Sequence, residues 1–104
     1  MASYRLTPKA REGLHGIVEY VVGRFGARAA EAALDRLIAA FELLAENPGA
    51  GHRRDELSQD ERIRFWSVGP TLIAYRAGSQ DLIEVLFVER GDRDWEQILG
   101  ADGP

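Results

Sequence analysis

The second half of the chain decides the fold. It reads Arg62-Ile63-Arg64-Phe65-Trp66-Ser67-Val68-Gly69 and, after Pro70-Thr71, Leu72-Ile73-Ala74-Tyr75-Arg76. Basic and apolar residues alternate there, as they do in strands that have one face in a core and the other offered to a partner. Turn residues at 69–70 and 78–81 separate these segments from each other and from a third apolar run. The pattern predicts a three-stranded antiparallel meander over residues 62–68, 71–77 and 82–89.

The first half has the spacing of two helices. Thr7 followed by Pro8 is typical of a helix start, because threonine caps the first turn and proline at the first helical position needs no N–H partner. The apolar residues of the first helix are Leu14, Ile17, Val18, Val21 and Phe25. Those of the second, from about 27 to 46, are Ala30, Leu34, Leu37, Phe41 and Leu44. Only Gly26 separates the two helices, so we predict an antiparallel hairpin.

Short elements are expected at both ends of the chain. Ser3 to Leu6 is a strand candidate, and Asp92-Arg93-Asp94 caps a short last helix anchored by Trp95, while residues 100–104 are expected to fray. The order of strand, helix hairpin and meander predicts a two-layer α+β fold with both helices on one face of the sheet. With 104 residues, we expect one domain over residues 1–104.

Composition excludes several classes of protein. The chain has no cysteine and only two isolated histidines, so disulfides, thiolate catalysis and cysteine-based or histidine-based metal sites are not expected. We expect no cofactor and no bound metal. No apolar run reaches the length of a membrane span, and the N-terminus does not resemble a signal peptide. The expected location is therefore the cytoplasm, without a membrane partner.

Charged side chains suggest one possible chemistry. The net charge of −4 argues against direct binding of nucleic acid. Twelve of the 13 basic residues are arginine, which suits specific bidentate contacts, although a GC-rich genome would give the same bias. Tyr75, with a lowered pKa, could act as an acid or base beside a cluster of Arg62, Arg64, Arg76, Arg90 and Arg93. The alternative, which we favour, is that these arginines are solvated and Tyr75 is half-buried.

Aromatic and arginine side chains suggest a protein interface. Trp66 follows Phe65 on a strand, so one of the two faces away from the helices, and alternation does not decide which. Trp95 is expected to fold back as the anchor of the last helix, and the apolar stripe of the first helix is wider than one sheet contact requires. We predict partner contacts from this stripe and from the arginine and aromatic side chains. The predicted contact residues are Ile17, Val21, Arg62, Arg64, Trp66, Tyr75, Arg90, Arg93 and Trp95.

Several short motifs resemble a known family. They are Tyr4-Arg5-Leu6-Thr7-Pro8-Lys9-Ala10, Phe41-Glu42-Leu43-Leu44-Ala45-Glu46-Asn47-Pro48, Arg53-Arg54-Asp55-Glu56-Leu57, Val68-Gly69, Leu72-Ile73-Ala74-Tyr75-Arg76 and Gly91-Asp92-Arg93-Asp94. In this order and spacing they resemble the ParE branch of the RelE/ParE toxin superfamily, also known as plasmid stabilisation proteins, and cover nearly the whole chain. One departure is Arg90, which stands where many members have histidine.

The resemblance implies the toxin of a bacterial type II toxin-antitoxin module, which inhibits DNA gyrase by binding rather than catalysis. It also implies a ParD-like antitoxin that folds on binding and a hetero-oligomeric complex. Two alternatives stay open: a RelE-like endoribonuclease that cuts messenger RNA on the ribosome without a metal, and a non-toxic relic that still binds an antitoxin. The absent histidine, the acidic balance and the lack of lysines favour a gyrase inhibitor over a ribonuclease, but do not separate it from a relic.

Overall fold

Residues 2–102, which the computed structural model describes, form four strands and three helices. In chain order these are β1 (Ser3–Leu6), α1 (Pro8–Phe25), α2 (Ala27–Glu46), β2 (Arg64–Val68), β3 (Thr71–Ala77), β4 (Leu82–Arg90) and α3 (Trp95–Asp102). The α+β fold predicted from the sequence is confirmed, with strand boundaries within two residues. Strand β2 starts at Arg64 because the Arg62 N–H donates to Asp60 Oδ1 in a turn. Helix α3 continues into the segment expected to fray, and residues 103–104 lie outside the described residues.

The four strands form one sheet in the order β1-β4-β3-β2. The meander is antiparallel as predicted, and β1 adds to it in parallel beside β4. A β-bulge on β4, opposite Ala74 and Tyr75, inserts Leu86 into the register. The Leu86 carbonyl accepts a hydrogen bond from the Thr7 hydroxyl at 2.9 Å, and the same hydroxyl oxygen caps α1 by accepting from the Ala10 N–H. The start of α1 is thereby fixed to the middle of the sheet.

Both helices of the hairpin pack on one face of the sheet, as predicted. The core there joins Leu37, Phe41 and Leu44 of α2 to inward side chains of β3 and β4. Helix α1 approaches β4 closely at Gly13, where a Cβ atom would lie 2.1 Å from the Val88 carbonyl oxygen. Only glycine permits this distance.

The opposite face of the sheet corrects one expectation. It is not open to a partner, because the loop before β2 and helix α3 cover it with a second core. Trp95 is 2% exposed and packs edge-on against Phe65 and Phe87, with ring centroids 6.1 and 6.4 Å apart. We call this surface, made by Ile63, Phe65, Leu72, Ala74, Leu86, Phe87, Trp95 and Leu99, the sealed face. Trp95 anchors the last helix, as the sequence predicted.

Candidate functional site

An apolar groove runs between the two helices of the hairpin and the turn that joins β2 to β3. Its volume is about 430 Å³. We call it the hairpin groove; it is lined by Ile17, Tyr20, Val21, Phe25, Ala29, Ala33, Arg36, Leu37, Val68, Gly69, Pro70, Thr71 and Arg90. A concave apolar surface of this size with a few polar groups is the usual form of a binding site.

The sequence builds the groove from two ladders with four-residue spacing, which places their members on one face of each helix. On α1 the ladder is Ile17, Val21 and Phe25, and on α2 it is Ala29, Ala33 and Leu37. The two alanines are too small to fill the space between the helices, so a trough remains. The β2–β3 turn closes one end of the trough, with Gly69 at φ +56°.

The hairpin tip leaves large apolar side chains in solvent. Phe25 is 68% exposed, Val22 45% and Tyr20 39%. Single exposed apolar residues are ordinary, but Tyr20 and Phe25 line the same groove, and Val22 lies between them in the sequence of α1. Such a surface is typical of a protein interface.

A second cleft, of about 470 Å³, lies between α1, the end of β4 and α3. We call it the charged cleft, because its lining includes Lys9, Glu12, Glu89, Arg90 and Arg93. Two glycines of α1, at positions 13 and 16, open it on the helix side. It carries charges of both signs, so it offers no strongly positive surface.

Tyr20 forms the ridge between the two depressions and lines both. The guanidinium carbon of Arg90 lies 4.9 Å from the centre of its ring and that of Arg24 lies 5.4 Å away. Both distances suit a cation–π contact, which orients the ring and the two arginines together. Tyr20 was not predicted as a site residue from the sequence. Its position one turn after Ile17 and one turn before Arg24 could have indicated that it lies beside both.

The arginines proposed as a cationic cluster do not form one. Arg90 and Arg93 meet in the charged cleft, where Arg90 binds Asp92 at 2.8 Å and Arg93 binds Glu89 at 3.4 Å. Arg76 binds Glu84, as Arg5 does, on the sheet. Arg62 binds Asp60 at 2.8 Å, and this hydrogen bond lowers the pKa of the Asp60 carboxyl to about 2. Arg64 donates to the Gly51 carbonyl at 2.9 Å.

Tyr75 is a structural residue. Its side chain is fully buried, its hydroxyl oxygen accepts from the Gly51 N–H at 2.8 Å, and the hydroxyl donates to the Pro48 carbonyl at 2.7 Å. Burial raises the pKa of the Tyr75 phenol, the opposite of what an acid or base at neutral pH requires. The fit is close, because a Cβ on Gly51 would lie 2.5 Å from this hydroxyl. The pKa shift is thus opposite to the one that the disfavoured catalytic interpretation needs, and the Tyr75 side chain, expected to be half-buried and predicted as a partner contact, is fully buried.

The two tryptophans lie on opposite faces of the sheet. Trp95 lies within the sealed face and its indole N–H donates to the Arg90 carbonyl at 3.0 Å, so it offers no surface to a partner. Trp66 faces the hairpin side of the sheet and is partly buried beside Leu43 and Pro48, in a shallow depression. Phe65, not Trp66, faces away from the helices, and Trp95 supplies the cover that it needs.

The remaining predicted contact residues fall into three places. Ile17, Val21 and Arg90 line the hairpin groove, and Arg93 lines the charged cleft. Arg62, Arg64 and Trp66 lie apart from both, near the loop before β2 and at the β2 edge. The α1 side of the groove was predicted from the apolar stripe on that helix. Its other half, on α2, was missed because alanine in a helix carries no sign of an adjacent cavity.

Residues 2–102 contain neither a metal site nor a membrane-spanning helix. Within that range no group of three histidine, cysteine, aspartate or glutamate side chains is placed to hold a metal ion. No helix in the described part of the chain is long and apolar enough to cross a membrane. His52 pairs its backbone with Phe65, and His15 lies on the exposed side of α1 beside Glu19.

Comparison with known proteins gives one family and one informative structure. The family model described as the ParE toxin of the type II toxin-antitoxin system parDE matches residues 4–95. A solved structure titled as the chromosomal ParDE TA system from P. aeruginosa is 24% identical with a TM-score of 0.69, over 86% of this chain and 96% of that one. A conserved hypothetical protein from Helicobacter pylori is 11% identical with a TM-score of 0.47, over 89% and 98%. No curated protein sequence matches significantly.

Proposed function

Because the chain belongs to the ParE toxin family of type II toxin-antitoxin systems, we propose that it is a toxin that acts by binding and inhibiting DNA gyrase in the cytoplasm. Membership of this family implies an antitoxin as partner. Gyrase is proposed as the target from the resemblance of the sequence to this family, whereas binding rather than catalysis is proposed from the apolar surface and the paired charges of the chain.

The observation that carries the proposal is the open hairpin groove. An apolar trough of about 430 Å³, whose lining residue Phe25 is 68% exposed, leaves apolar surface uncovered in the isolated chain. Burial of apolar surface is the main driving force of protein association, at roughly 25 cal/mol per Å² of area removed from water. A protein with an open apolar depression is suited to binding another protein.

The state of the charged groups supports binding over catalysis. Metal-independent cleavage of RNA needs cations that are free to stabilise the phosphoryl transition state and a group that accepts a proton. Arg62, Arg76, Arg90 and Arg93 are each engaged by a carboxylate of this chain. The hydroxyl of Tyr75 is buried and already donates to a carbonyl. These contacts disfavour the ribonuclease alternative.

The antitoxin is proposed to contribute a segment that is disordered alone and folds around the hairpin. Antitoxins of this class have a dimeric DNA-binding part, so the complex is proposed to be an even-numbered hetero-oligomer. Hydrogen exchange with and without the partner should show new protection within residues 14–41, and a lack of protection there would contradict this docking site. Light scattering that gave a one-to-one complex at micromolar concentration would contradict the proposed stoichiometry.

The function is tested with purified protein and relaxed plasmid DNA. Gyrase should lose supercoiling activity or accumulate cleaved DNA, whereas messenger RNA on translating ribosomes should stay intact. Arg93→Ala, in the charged cleft, should reduce inhibition more than Arg54→Ala, since each removes one paired arginine but only Arg93 lines a cleft beside the hairpin. Cleavage of messenger RNA with gyrase unaffected would overturn the proposal in favour of the ribonuclease, and no effect on either would favour the relic.

A further inference from the structure

We propose that the hairpin groove selects an apolar partner segment that carries a carboxylate, and that Arg36 is the residue that makes this selection. This inference rests on the proposed function and deepens it, because it states the chemistry of the segment that the partner inserts. Three observations support it: the sign of the charges in the groove, the state of Arg36 and the shape of the trough.

The charges of the groove differ in sign from those of the whole chain. The chain has 17 acidic and 13 basic residues, but the groove lining contains two arginines, Arg36 and Arg90, and no acidic side chain. The neighbouring charged cleft, in contrast, includes both acidic and basic side chains. A groove that is apolar and positive within an acidic protein complements a segment that is apolar and negative.

Arg36 is distinguished from the other arginines around the two depressions by its lack of a partner. Arg90 binds Asp92 and Arg93 binds Glu89, so each of their charges is already compensated. Arg36 makes no hydrogen bond and no ion pair with any of residues 2–102. It is exposed on α2, one residue before the buried Leu37. Its full charge is therefore available to a bound segment.

The binding of an apolar segment would change the surroundings of Arg36. A segment seated in the trough removes water from the rim of the groove, where the guanidinium lies. A carboxylate on the segment would then form a charge-assisted and often bidentate hydrogen bond with the guanidinium. A lysine in place of that carboxylate residue on the partner segment would be repelled by the Arg36 guanidinium. The contact therefore discriminates between partners as well as strengthening binding.

The trough itself explains why the segment must also be apolar. Its floor is formed by Ala29 and Ala33 on α2, opposite larger side chains of α1. Filling this space with a partner's apolar side chains buries surface of both proteins. Ala33→Trp should fill the trough from within and prevent docking, whereas Ala27→Trp, at an exposed position on the side of the same helix opposite Arg36, should leave the groove open.

The test uses a random 16-residue peptide library displayed on yeast, selected on the purified full-length chain. Peptides that bind the wild type and Ala27→Trp but not Ala33→Trp are groove binders. We expect these peptides to combine apolar residues with an excess of aspartate and glutamate over lysine and arginine. For a synthesised groove binder, Arg36→Glu should weaken binding about tenfold or more. Arg28→Glu, the same charge change on the same helix outside the groove, should have little effect.

Each outcome of this experiment has a defined meaning. A second selection on Arg36→Glu should lose or reverse the acidic preference, and circular dichroism melts show that each variant is folded. Equal effects of Arg36→Glu and Arg28→Glu, no acidic excess, or no peptide that requires the open trough would overturn the inference. Failure to inhibit gyrase with the acidic preference intact would instead overturn the proposed function alone.

Discussion

The sealed face and the hairpin groove are both apolar surfaces, yet the protein treats them differently. On the sealed face, Trp95 and Leu99 of α3 cover the strands, and Trp95 is 2% exposed. In the hairpin groove no element of residues 2–102 covers the trough, and its lining residue Phe25 is 68% exposed. The comparison shows that a pattern of apolar residues in the sequence predicts a surface that must be buried. The pattern does not predict whether the same chain or a partner buries it. Function is expected where the chain leaves its own apolar surface open.

The charged residues follow the same division. Beside the sealed face, the loop before β2 pairs Arg54 with Glu56 and Arg62 with Asp60. Exposed pairs of this kind contribute little to stability individually, but they leave few free charges for a ligand. In the groove, Arg36 has no such partner among residues 2–102. Uncompensated charge and uncovered apolar surface therefore coincide at one place.

The largest expected difference in unfolding free energy is between the truncation of an aromatic residue on the sealed face and one in the hairpin groove. Trp95→Ala leaves a cavity in the sealed face and should lower the free energy of unfolding by about 3–5 kcal/mol. Phe25→Ala removes a solvated ring and should change it by less than about 0.5 kcal/mol. Urea unfolding followed by circular dichroism measures both. Similar losses of unfolding free energy for the two variants would contradict the description of one surface as sealed and the other as open.

A smaller loss is expected from Tyr75→Phe, which removes a hydroxyl without leaving a large cavity. The Gly51 N–H and the Pro48 carbonyl lose their partner, so the free energy of unfolding should fall by about 1–3 kcal/mol. Gyrase inhibition should be unchanged in the folded variant, because Tyr75 has a structural role. Loss of inhibition with normal unfolding behaviour would return Tyr75 to the functional site.

The same residue gives a prediction for alkaline pH. The folded protein raises the Tyr75 pKa above its ordinary value of 10.0, so the neutral phenol is favoured in the folded state. The stability that this contributes is present below pH 10 and is lost as the pH rises through the raised pKa. The wild type should therefore lose stability at high pH more steeply than Tyr75→Phe. Tyr20→Phe, which alters an exposed tyrosine, should keep the steep loss.

The smallest effect is expected at Asp60 in the loop over the sealed face. Its pKa is lowered from 3.8 to about 2, mainly by the hydrogen bond from Arg62. The ionised carboxylate therefore contributes stability above pH 4, and this contribution is lost as the pH falls towards 2. Asp60→Asn should be slightly less stable than the wild type at pH 6, and the difference should disappear near pH 2.

Much of the fold was readable from local sequence. The Thr7-Pro8 helix start, the hairpin at Gly26 and the meander turns all depend on the conformational preferences of a few adjacent residues. The functional residues were less readable. Ile17 and Val21 were identified from their spacing, but Tyr20 and Arg36 gained their roles from contacts, or the lack of them, with distant parts of the chain.

The sequence by itself determined the order of the elements, the hairpin and the assignment to a family, because periodicity, caps and short motifs are properties of adjacent residues. Only the tertiary structure decided which apolar face is closed and that Arg36 is an arginine without an ion pair in the open groove. Trp95 covers Phe65 from thirty residues further along the chain, and the trough exists because α2 places alanines opposite the larger residues of α1. Burial and ion pairing depend on which residues meet in space, and the spacing of residues along a strand or helix does not contain that information.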